Sequence, residues 1–338
     1  NVRGVVSKST HLFLRILLCL LTVRPANINC GMKKNDGKTT PYSLQCLRAC
    51  GVFQMKDPSK MSIEELRANS SYDPTEDNKL LKLSKSSFMT YSKCPRQFWM
   101  QKVVLKDMRM PATPQMERGS RIHTALETLY DNWGGQSTLA PLIPIESHEE
   151  GIDEMVNLEQ QRIDLWGIEK FKPIEYEEYR AVYDAERDVV LVGLIDAVLV
   201  HPDGGLCIYE LKTGNMNDGK LSRTRRELCY YAHMLRLMGE TRPITHFAYL
   251  APDAENVDFV MKMVEDSKRQ VMLGDEKGIL IVEKVNGRSN TAFLKALDKA
   301  VAGLKANENP MVWSDYFCPQ WCDFAPACES ELTGVGEW

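Results

Sequence analysis

Three side chains suited to phosphate chemistry lie close together in the sequence: Asp196, Glu210 and Lys212. Two apolar segments carry them, and the Pro-Asp-Gly-Gly turn between these segments predicts a β-hairpin. If Val200 faces Leu206 across the turn, the two carboxylates fall directly opposite each other. Lys212, two residues beyond Glu210, then lies on the same side of the sheet. Opposed carboxylates repel unless a cation lies between them, and their hard oxygen atoms favour Mg²⁺ or Mn²⁺.

The same residue types are also common at the solvated ends of strands, and the sequence leaves this alternative open. The predicted metal site depends on the register of the hairpin. A slip of one residue would send one of the two carboxylates to the opposite face of the sheet. The register therefore decides whether this group can hold a metal ion.

The order Asp, about a dozen residues, Glu-x-Lys resembles the core of the PD-(D/E)xK nuclease superfamily. The resemblance is greatest to its RecB-like branch, which includes Cas4-like iron–sulfur exonucleases. Four further segments are similar to motifs of that branch and follow in the same order. They are Ser84–Trp99, Glu117–His123, Glu227–Ala232 and Cys318–Cys328. The resemblance covers about residues 81–330, and the five motifs in order are more specific than any one alone.

The resemblance implies an α/β fold with a restriction-endonuclease-like core, in which helices flank a central mixed β-sheet. It implies a metal-dependent DNA exonuclease that hydrolyses phosphodiester bonds of single-stranded DNA or DNA ends. Asp196 and Glu210 are the predicted ligands of Mg²⁺ or Mn²⁺. The resemblance gives Lys212 the role of orienting the attacking water and the scissile phosphate.

Two further positions are candidate ligands of the same metal ion. The resemblance makes His123 a ligand, although a histidine beside an apolar helix stripe is more often a core or boundary residue. Gly119, one helical turn earlier, would allow close approach of another backbone. Glu177 or Glu178 on the preceding strand is an additional candidate, and the sequence does not choose between them.

An iron–sulfur cluster is also implied by the resemblance. Its cysteine motif supplies Cys318, Cys322 and Cys328, with Cys94 as the candidate fourth ligand of a [4Fe–4S] cluster. Such a cluster would staple the N-terminal helix of the domain to its C-terminal end. Thiolates also select zinc, so a structural zinc site is the alternative. The sequence departs from the family here, because the first gap in the cysteine motif has three residues where two are commoner.

Contacts with DNA are predicted from local charge, since a net charge of −4 is no footprint of a general nucleic-acid binder. A basic run lies between the Glu-x-Lys strand and the next helix. It comprises Lys220, Arg223, Arg225 and Arg226. These residues would bind phosphates without reading sequence, and a solvated basic loop is the alternative. The resemblance places Tyr231 near the DNA backbone. Glu227 stands where the family usually has Gln, and it would repel phosphate unless it binds metal or pairs with Arg223.

The 338 residues, 43% of them apolar, suffice for a sizeable core. We predict a leader over residues 1–80 and a nuclease domain with the iron–sulfur staple over residues 81–338. The apolar stretch at 11–23 contains an arginine and is too short to span a membrane. It could be a signal or transit peptide, but we favour sequence upstream of a start at Met32 or Met55. We expect an intracellular protein, with organellar targeting left open.

Periodicity and turn residues predict the elements that position these groups. Predicted helices cover residues 62–69, 84–91, 115–133, 225–238 and 290–306, with an acid-rich helix over about 146–160. Predicted strands cover 175–183, 189–200 and 206–212, with a second hairpin formed by 244–251 and 257–264. This alternation of strands and helices is typical of an α/β domain with a mixed sheet.

Two other functions compete with the nuclease. A non-catalytic DNA-binding subunit would keep the fold without turnover, and the intact set Asp196, Glu210 and Lys212 argues against it. A structural zinc protein would carry the Glu-x-Lys sequence by chance. A helicase or recombination partner is a further hypothesis, and the sequence predicts neither the polarity of digestion nor the oligomeric state.

Overall fold

The computed structural model describes residues 56–108, 111–266, 270–273 and 277–333, so the alternatives for the first 55 residues lie outside the described part. The strands are β1 (Ser70–Ser71), β2 (Leu80–Ser84), β3 (Glu175–Asp184), β4 (Val189–Val200), β5 (Leu206–Leu211), β6 (Ile244–Ala251), β7 (Gln270–Leu273) and β8 (Ile279–Lys284). The α-helices are α1 (Ile63–Ala68), α2 (Lys85–Lys93), α3 (Pro95–Trp99), α4 (Pro114–Asn132), α5 (Glu150–Trp166), α6 (Asp218–Leu237), α7 (Val257–Asp266), α8 (Gly287–Lys305), α9 (Cys318–Trp321) and α10 (Ala325–Thr333). Shorter helical segments lie at Pro58–Lys60, Met100–Val104, Ala140–Leu142, Ile145–Ser147 and Ile168–Lys170.

In the described part of the chain the strands form one eight-stranded sheet. Its order is β1-β2-β4-β5-β6-β8-β7, and β3 pairs with β4 beside this path. The sheet is mixed, because β4 is antiparallel to β5 while β5 is parallel to β6. Parallel neighbours need a crossover, and α6 provides it between β5 and β6. The predicted α/β fold with a central mixed sheet is confirmed.

Side chains of β5 alternate between two hydrophobic cores, one on each face of the sheet. Ile208 packs into the core that contains Phe88 of α2 and Phe293 of α8. Tyr209 packs into the core on the opposite face, with Tyr130 of α4. The next residue of β5 therefore returns to the face covered by α2, α6 and α8.

A buried ionic cluster lies within the second core. Arg162 and Glu159 of α5 are both fully buried, and Arg162 Nη2 donates to Glu159 Oε2 at 2.5 Å. The hydroxyls of Tyr209 and Tyr130 donate to the same carboxylate. Arg162 also donates to the carbonyl of Phe171 at 2.9 Å. Each charge is thereby paired and hydrogen-bonded, as burial of charge requires.

The strand predicted over 257–264 is wrong, because this segment forms α7. Val257, Val260 and Val264 are buried at spacings of three and four residues, which is the helical period rather than the alternation of a strand. The β-branched valines favoured a strand, but packing of one helical face against the core prevails here.

Part of the predicted leader belongs to the fold. The helix predicted from the capping box of Ser62 and Glu65 is confirmed as α1. Leu66 of this helix packs with Leu80 and Val190 in a small core under the sheet. This helix of the predicted leader therefore packs against the sheet, and the division into a leader over residues 1–80 and a nuclease domain stays a prediction. No helix in the described ranges has the length and apolarity needed to cross a bilayer.

Candidate active site

The β4–β5 hairpin has the predicted register, with Val200 opposite Leu206. Asp196 and Glu210 lie on one face of the sheet, since residues two positions from each pack in the same core. Both are buried, with exposed fractions of 6% and 2%. The backbone N–H of Leu211 donates to Asp196 Oδ2 at 2.8 Å. The carboxylate therefore accepts a backbone hydrogen bond at the point where the pairing of β4 with β5 ends. Asp196 and Glu210 therefore have the arrangement that binding of one metal ion requires.

The electrostatics of the two carboxylates differ. Burial raises the pKa of Asp196 to about 7, and the nearby charge of Glu210 adds to the shift. Burial also acts to raise the pKa of Glu210, but the ammonium groups of Lys85 and Lys212 outweigh it, and the net shift is downward. Asp196 is thus the carboxylate that most needs a further cation at neutral pH.

His123 of α4 meets two carboxylates at this site. Its Nδ1 lies 3.0 Å from Glu177 Oε1 and 3.9 Å from Asp196 Oδ2. One ligand atom from each of the three residues lies within 4.8 Å of the others. Burial lowers the pKa of His123. Its hydrogen bond to Glu177 and the charge of Asp196 together outweigh this effect, so the net shift of the pKa is upward. His123, which the sequence left open as a metal ligand or a core residue, therefore faces the site.

The structure also distinguishes the two glutamates of β3. Glu177 lies opposite Asp196 and has a φ of 44°, in a region that residues other than glycine seldom adopt. Such strained conformations cluster at functional sites. Glu178 instead pairs with Arg180 and its side chain is 50% exposed. Of the two candidates, only Glu177 is placed to bind a metal ion with His123.

Lys212 is held between two carboxylates. Its Nζ lies 2.7 Å from Glu210 Oε1 and 2.6 Å from Glu227 Oε2. Burial lowers the pKa of Lys212, but Glu210 and Glu227 outweigh this effect and the net shift is upward. Glu227 is buried on α6 and pairs with Lys212. The sequence had left open a pair with Arg223, and Glu227 does not form that pair.

Lys85 is a member of the site that sequence analysis missed. It is the first residue of α2, and its Nζ donates to Glu210 Oε1 and lies 3.8 Å from Glu227 Oε2. The same ammonium group lies 4.8 Å from the centre of the Tyr231 ring. Ser84 caps this helix, in agreement with the predicted start at residue 84, but nothing local in the sequence indicates that Lys85 faces a residue 125 positions away.

An open cavity of about 520 Å³ lies at this site. The lining residues are Ser84, Lys85, Ser86, Ser120, His123, Thr124, Glu127, Glu177, Gly193, Leu194, Asp196 and Tyr231. The volume lies within the range of small-molecule sites, about 300–1,000 Å³. A phosphate group or nucleotide could therefore reach the buried carboxylates.

The residues present fit a divalent cation. Among the described residues, four carboxylates lie with the ammonium groups of Lys85 and Lys212 and the imidazole of His123; they are those of Glu177, Asp196, Glu210 and Glu227. Oε2 of Glu210 is buried and, among the described residues, has no hydrogen-bond partner. An excess of negative charge and an unsatisfied carboxylate oxygen are the features that a hard cation would neutralise.

A model of the PD-(D/E)XK nuclease superfamily matches residues 82–329, which is most of the chain. The chain belongs to this superfamily. It is also similar to a solved structure titled "Crystal structure of SSO0001", with 13% sequence identity, a TM-score of 0.31, and coverage of 76% of this chain and 88% of that chain. No curated protein matches the chain. PD-(D/E)XK nucleases use divalent metal ions, in agreement with the charge of the cavity.

Two of the residues predicted to contact DNA in this PD-(D/E)XK protein have partners within the fold. Arg225 donates to both carboxylate oxygens of Glu283 on β8, at 2.6 and 2.9 Å, and is thereby engaged within the fold. Lys220 Nζ donates to three backbone carbonyls of residues 213–215. The sequence predicted this helix from about residue 225, whereas α6 begins at Asp218 with Asn217 as its cap, so both cations lie on the helix.

Three other predicted contacts have different outcomes. Arg223 and Arg226 are exposed on α6 and, within the described ranges, make no hydrogen bond or ion pair, so they stay candidates for phosphate binding. The Tyr231 hydroxyl donates to the carbonyl of Leu194, while the ring lines the cavity.

Gly119 is not sterically required, because an added Cβ would lie 3.5 Å from Thr213, an ordinary contact distance.

The four cysteines predicted to bind a cluster lie near one another. Burial raises the pKa of the Cys322 thiol, and the neighbouring Cys318 and Cys94 add to the shift. Burial, together with Cys322, raises the pKa of Cys328 to about 11. In the described residues, the side-chain groups with ligand atoms within 4.8 Å of one another include no cysteine. The thiols therefore gather without forming the compact tetrahedron of a structural zinc site.

Replacing Lys85 with Met should lower the rate of phosphodiester cleavage about 10- to 100-fold. The loss corresponds to one charge-assisted hydrogen bond, because this ammonium group reaches the cavity beside Glu210. Lys82→Met is the matched control, since Lys82 stacks on Tyr72 away from the cavity. The measurement is kcat/KM on labelled DNA, with thermal melts of both variants. An unchanged rate for the Lys85 variant would restrict this residue to neutralising Glu210.

Proposed function

We propose that this protein is a Mg²⁺- or Mn²⁺-dependent deoxyribonuclease of the RecB-like branch, acting as an exonuclease on single-stranded DNA or DNA ends. One observation carries the proposal: Asp196 lines an open cavity together with His123 and Glu177, and Glu210, which pairs with Lys212, contacts Lys85 of the same lining. The preference for ends and for single strands follows from the resemblance of the motifs. An intracellular location and a helicase or recombination partner are further hypotheses of the same kind.

Each side chain has a role in this proposal. Asp196, Glu210 and His123 would hold the metal ion, with Glu177 as an additional ligand. The bound ion would polarise the phosphate and favour ionisation of a water molecule. Lys212 would donate to the phosphate or to the attacking water. A phosphate that binds Lys212 must compete with Glu227, because Lys212 Nζ lies 2.6 Å from Glu227 Oε2.

The proposal is tested by incubating the purified protein with end-labelled DNA in Mg²⁺ or Mn²⁺. Linear single strands labelled at either end, blunt duplexes and a circular single strand separate exonuclease from endonuclease activity and give the polarity. We expect stepwise loss of nucleotides from linear DNA and no cleavage of the circle. Binding of DNA without cleavage in either metal would instead support a non-catalytic subunit that keeps the nuclease fold.

We propose in addition that Cys94, Cys318, Cys322 and Cys328 bind a [4Fe–4S] cluster. The support is the gathering of these thiols and the contacts that already join the two ends of the domain. Arg96, two residues after Cys94, forms an ion pair of 3.0 Å with Glu331. Protein purified without oxygen should contain about four iron and four sulfide ions per chain. Cys94→Ser should lose this iron, whereas Cys229→Ser, a buried cysteine elsewhere, should retain it.

Binding of Mn²⁺ should weaken as pH falls. Asp196 has a raised pKa of about 7, so below that pH it is protonated and must release the proton to bind metal. Apparent affinity should therefore fall at least about tenfold per pH unit below 7, and more steeply where His123, whose pKa is also raised, must lose its proton as well. Calorimetry from pH 5.5 to 8.5, in buffers with different ionisation enthalpies, measures both the affinity and the released proton. Affinity independent of pH over this range would exclude Asp196 as a ligand.

A further inference from the structure

A second group of metal-ligating side chains lies at the turn of the β4–β5 hairpin. In the described part of the chain, His201, Asp203 and His246 each offer one ligand atom within 4.8 Å of the others. Asp203 Oδ1 lies 3.0 Å from His201 Nδ1, and its Oδ2 lies 3.6 Å from His246 Nδ1. His201 lies five residue steps along the chain from Asp196, about 16 Å at ~3.3 Å per residue of strand. It is therefore distinct from the nuclease site.

The backbone is shaped to bring the three side chains together. Pairing of β5 with β6 shifts between Leu206 and Cys207, which leaves Thr245 as an extra residue before His246. Such a bulge changes the direction of the side chains beside it. Gly205 is required at the turn, because an added Cβ would lie 2.3 Å from Thr245 Oγ1. The close approach of turn and strand places the two imidazole rings in a stack, with centroids 3.6 Å apart.

The donor atoms have the spacing of ligands around one ion. Two atoms that each lie about 2.0–2.2 Å from a tetrahedral zinc ion are about 3.3 Å apart, between the two distances measured here. The backbone N–H of Asp203 also donates to His201 Nδ1, at 3.3 Å. An ion bound at this nitrogen would replace that hydrogen bond, and an ion bound at His246 Nδ1 would replace the contact of that atom with Thr245 Oγ1 at 2.9 Å.

We propose that His201, Asp203 and His246 bind one zinc ion. Imidazole nitrogens favour zinc and related transition metals, whereas the oxygen-rich nuclease site favours Mg²⁺ or Mn²⁺. The Asp203 side chain is 44% exposed, so an ion can enter from solvent, while the side chain of His246 is only 5% exposed. This inference does not depend on the proposed nuclease function.

Such an ion would connect the hairpin turn to the start of β6. The segment between Asp203 and His246 contains β5 and α6, which carry Glu210 and Glu227. Closing this loop through a metal ion stabilises the folded state, since the binding free energy contributes to folding. The metal would thus stabilise the crossover beneath the nuclease site without touching the substrate.

The test measures zinc per chain by mass spectrometry after equilibration with Zn²⁺, in wild type and in His201→Asn, Asp203→Asn and His246→Asn. His148→Asn is the matched control, because His148 pairs with a single carboxylate, that of Asp153. Differences between variants isolate this site from the cysteines and from the carboxylate cavity. A second readout is the shift in melting temperature on addition of Zn²⁺ or a chelator.

We expect each of the three variants to lose one zinc ion per chain and most of the zinc-dependent rise in melting temperature. The control should keep both, and Mg²⁺-dependent cleavage should be unchanged in the three variants. Zinc content equal to wild type in His201→Asn and Asp203→Asn would overturn the proposal and leave a hydrogen-bonded triad. Asp203 is exposed at the turn, so failure of a histidine variant to fold would not obscure the result.

Discussion

Asp196→Asn should abolish phosphodiester cleavage and at the same time make the metal-free protein more stable. Cleavage should fall at least about 10²–10³-fold, the effect of removing a preorganised charged group from an active site. The Asn oxygen can still accept from the N–H of Leu211, so the hairpin is preserved. Stability should rise at pH 8 by on the order of 1–2 kcal/mol, because burial of the ionised carboxylate beside Glu210 is unfavourable.

The sign of the stability effect follows from the direction of the pKa shift. Asp196 has a folded pKa of about 7 against an ordinary value of 3.8. The destabilisation is therefore absent below pH 3.8, grows up to about pH 7 and is fully present at pH 8. Thermal melts with a chelator at pH 8 and near pH 4 measure this difference. The gain of a few degrees should appear only at the higher pH.

Asp188→Asn is the matched control for this experiment. Asp188 lies in the β3–β4 turn and forms an ion pair of 3.2 Å with Lys305, away from the cavity. Its φ of 50° is also well tolerated by Asn, so no new strain is introduced. This variant should cleave DNA normally and show no gain in stability. Full activity of Asp196→Asn would refute the proposed site, whereas lost activity with lower stability would indicate a structural defect.

The largest effect on stability is expected from Arg162→Met. Removing this side chain leaves the carboxylate of Glu159 buried without its cation, and loss of one partner of a buried pair costs about 3–5 kcal/mol. Adding Glu159→Gln removes the unpaired charge yet keeps an acceptor for the hydroxyls of Tyr130 and Tyr209. The double variant should therefore recover more than half of the lost stability. Denaturation in urea, read as the midpoint at constant slope, measures both changes.

Arg242→Met provides the comparison for a surface ion pair. Arg242 lies 2.6 Å from Glu240, but its side chain is 49% exposed. Exposed pairs of this kind contribute about 0–1 kcal/mol. If Arg162→Met cost no more than this control, the buried cluster would have to be hydrated in solution. If the double variant were less stable than the single variant, the unpaired charge would not be the cause of the loss.

The sequence was sufficient to predict the local geometry of the hairpin. The Asp-Gly turn and the two apolar runs determined the register, and the register placed Asp196 and Glu210 on one face. The capping box of Ser62 and Glu65 predicted the start of α1 in the same way, because it depends on residues only three positions apart. Signals of this kind are local, and the structure confirms them.

Contacts between distant segments could not be predicted. Lys85 reaches Glu210 across 125 positions, and no spacing rule connects a helix start to a strand so far along the chain. The local basic run predicts a phosphate contact for Arg225. Its actual partner, Glu283, lies on a strand 58 positions away and gives no local signal in the sequence. The choice of Glu177 over Glu178 depended on a local backbone turn to positive φ, which the sequence does not signal.

The helix that begins with Lys85 is held by residues near the other end of the described chain. The Tyr91 hydroxyl donates to the carbonyl of Glu308, and Arg96 of α3 donates to the carbonyl of Asn309. During synthesis the carboxylates of β4 and β5 leave the ribosome long before these anchoring residues do. A nascent chain thus carries the hydrolytic groups before it can fix their geometry, and we expect DNA cleavage to begin only once the domain has been completely translated.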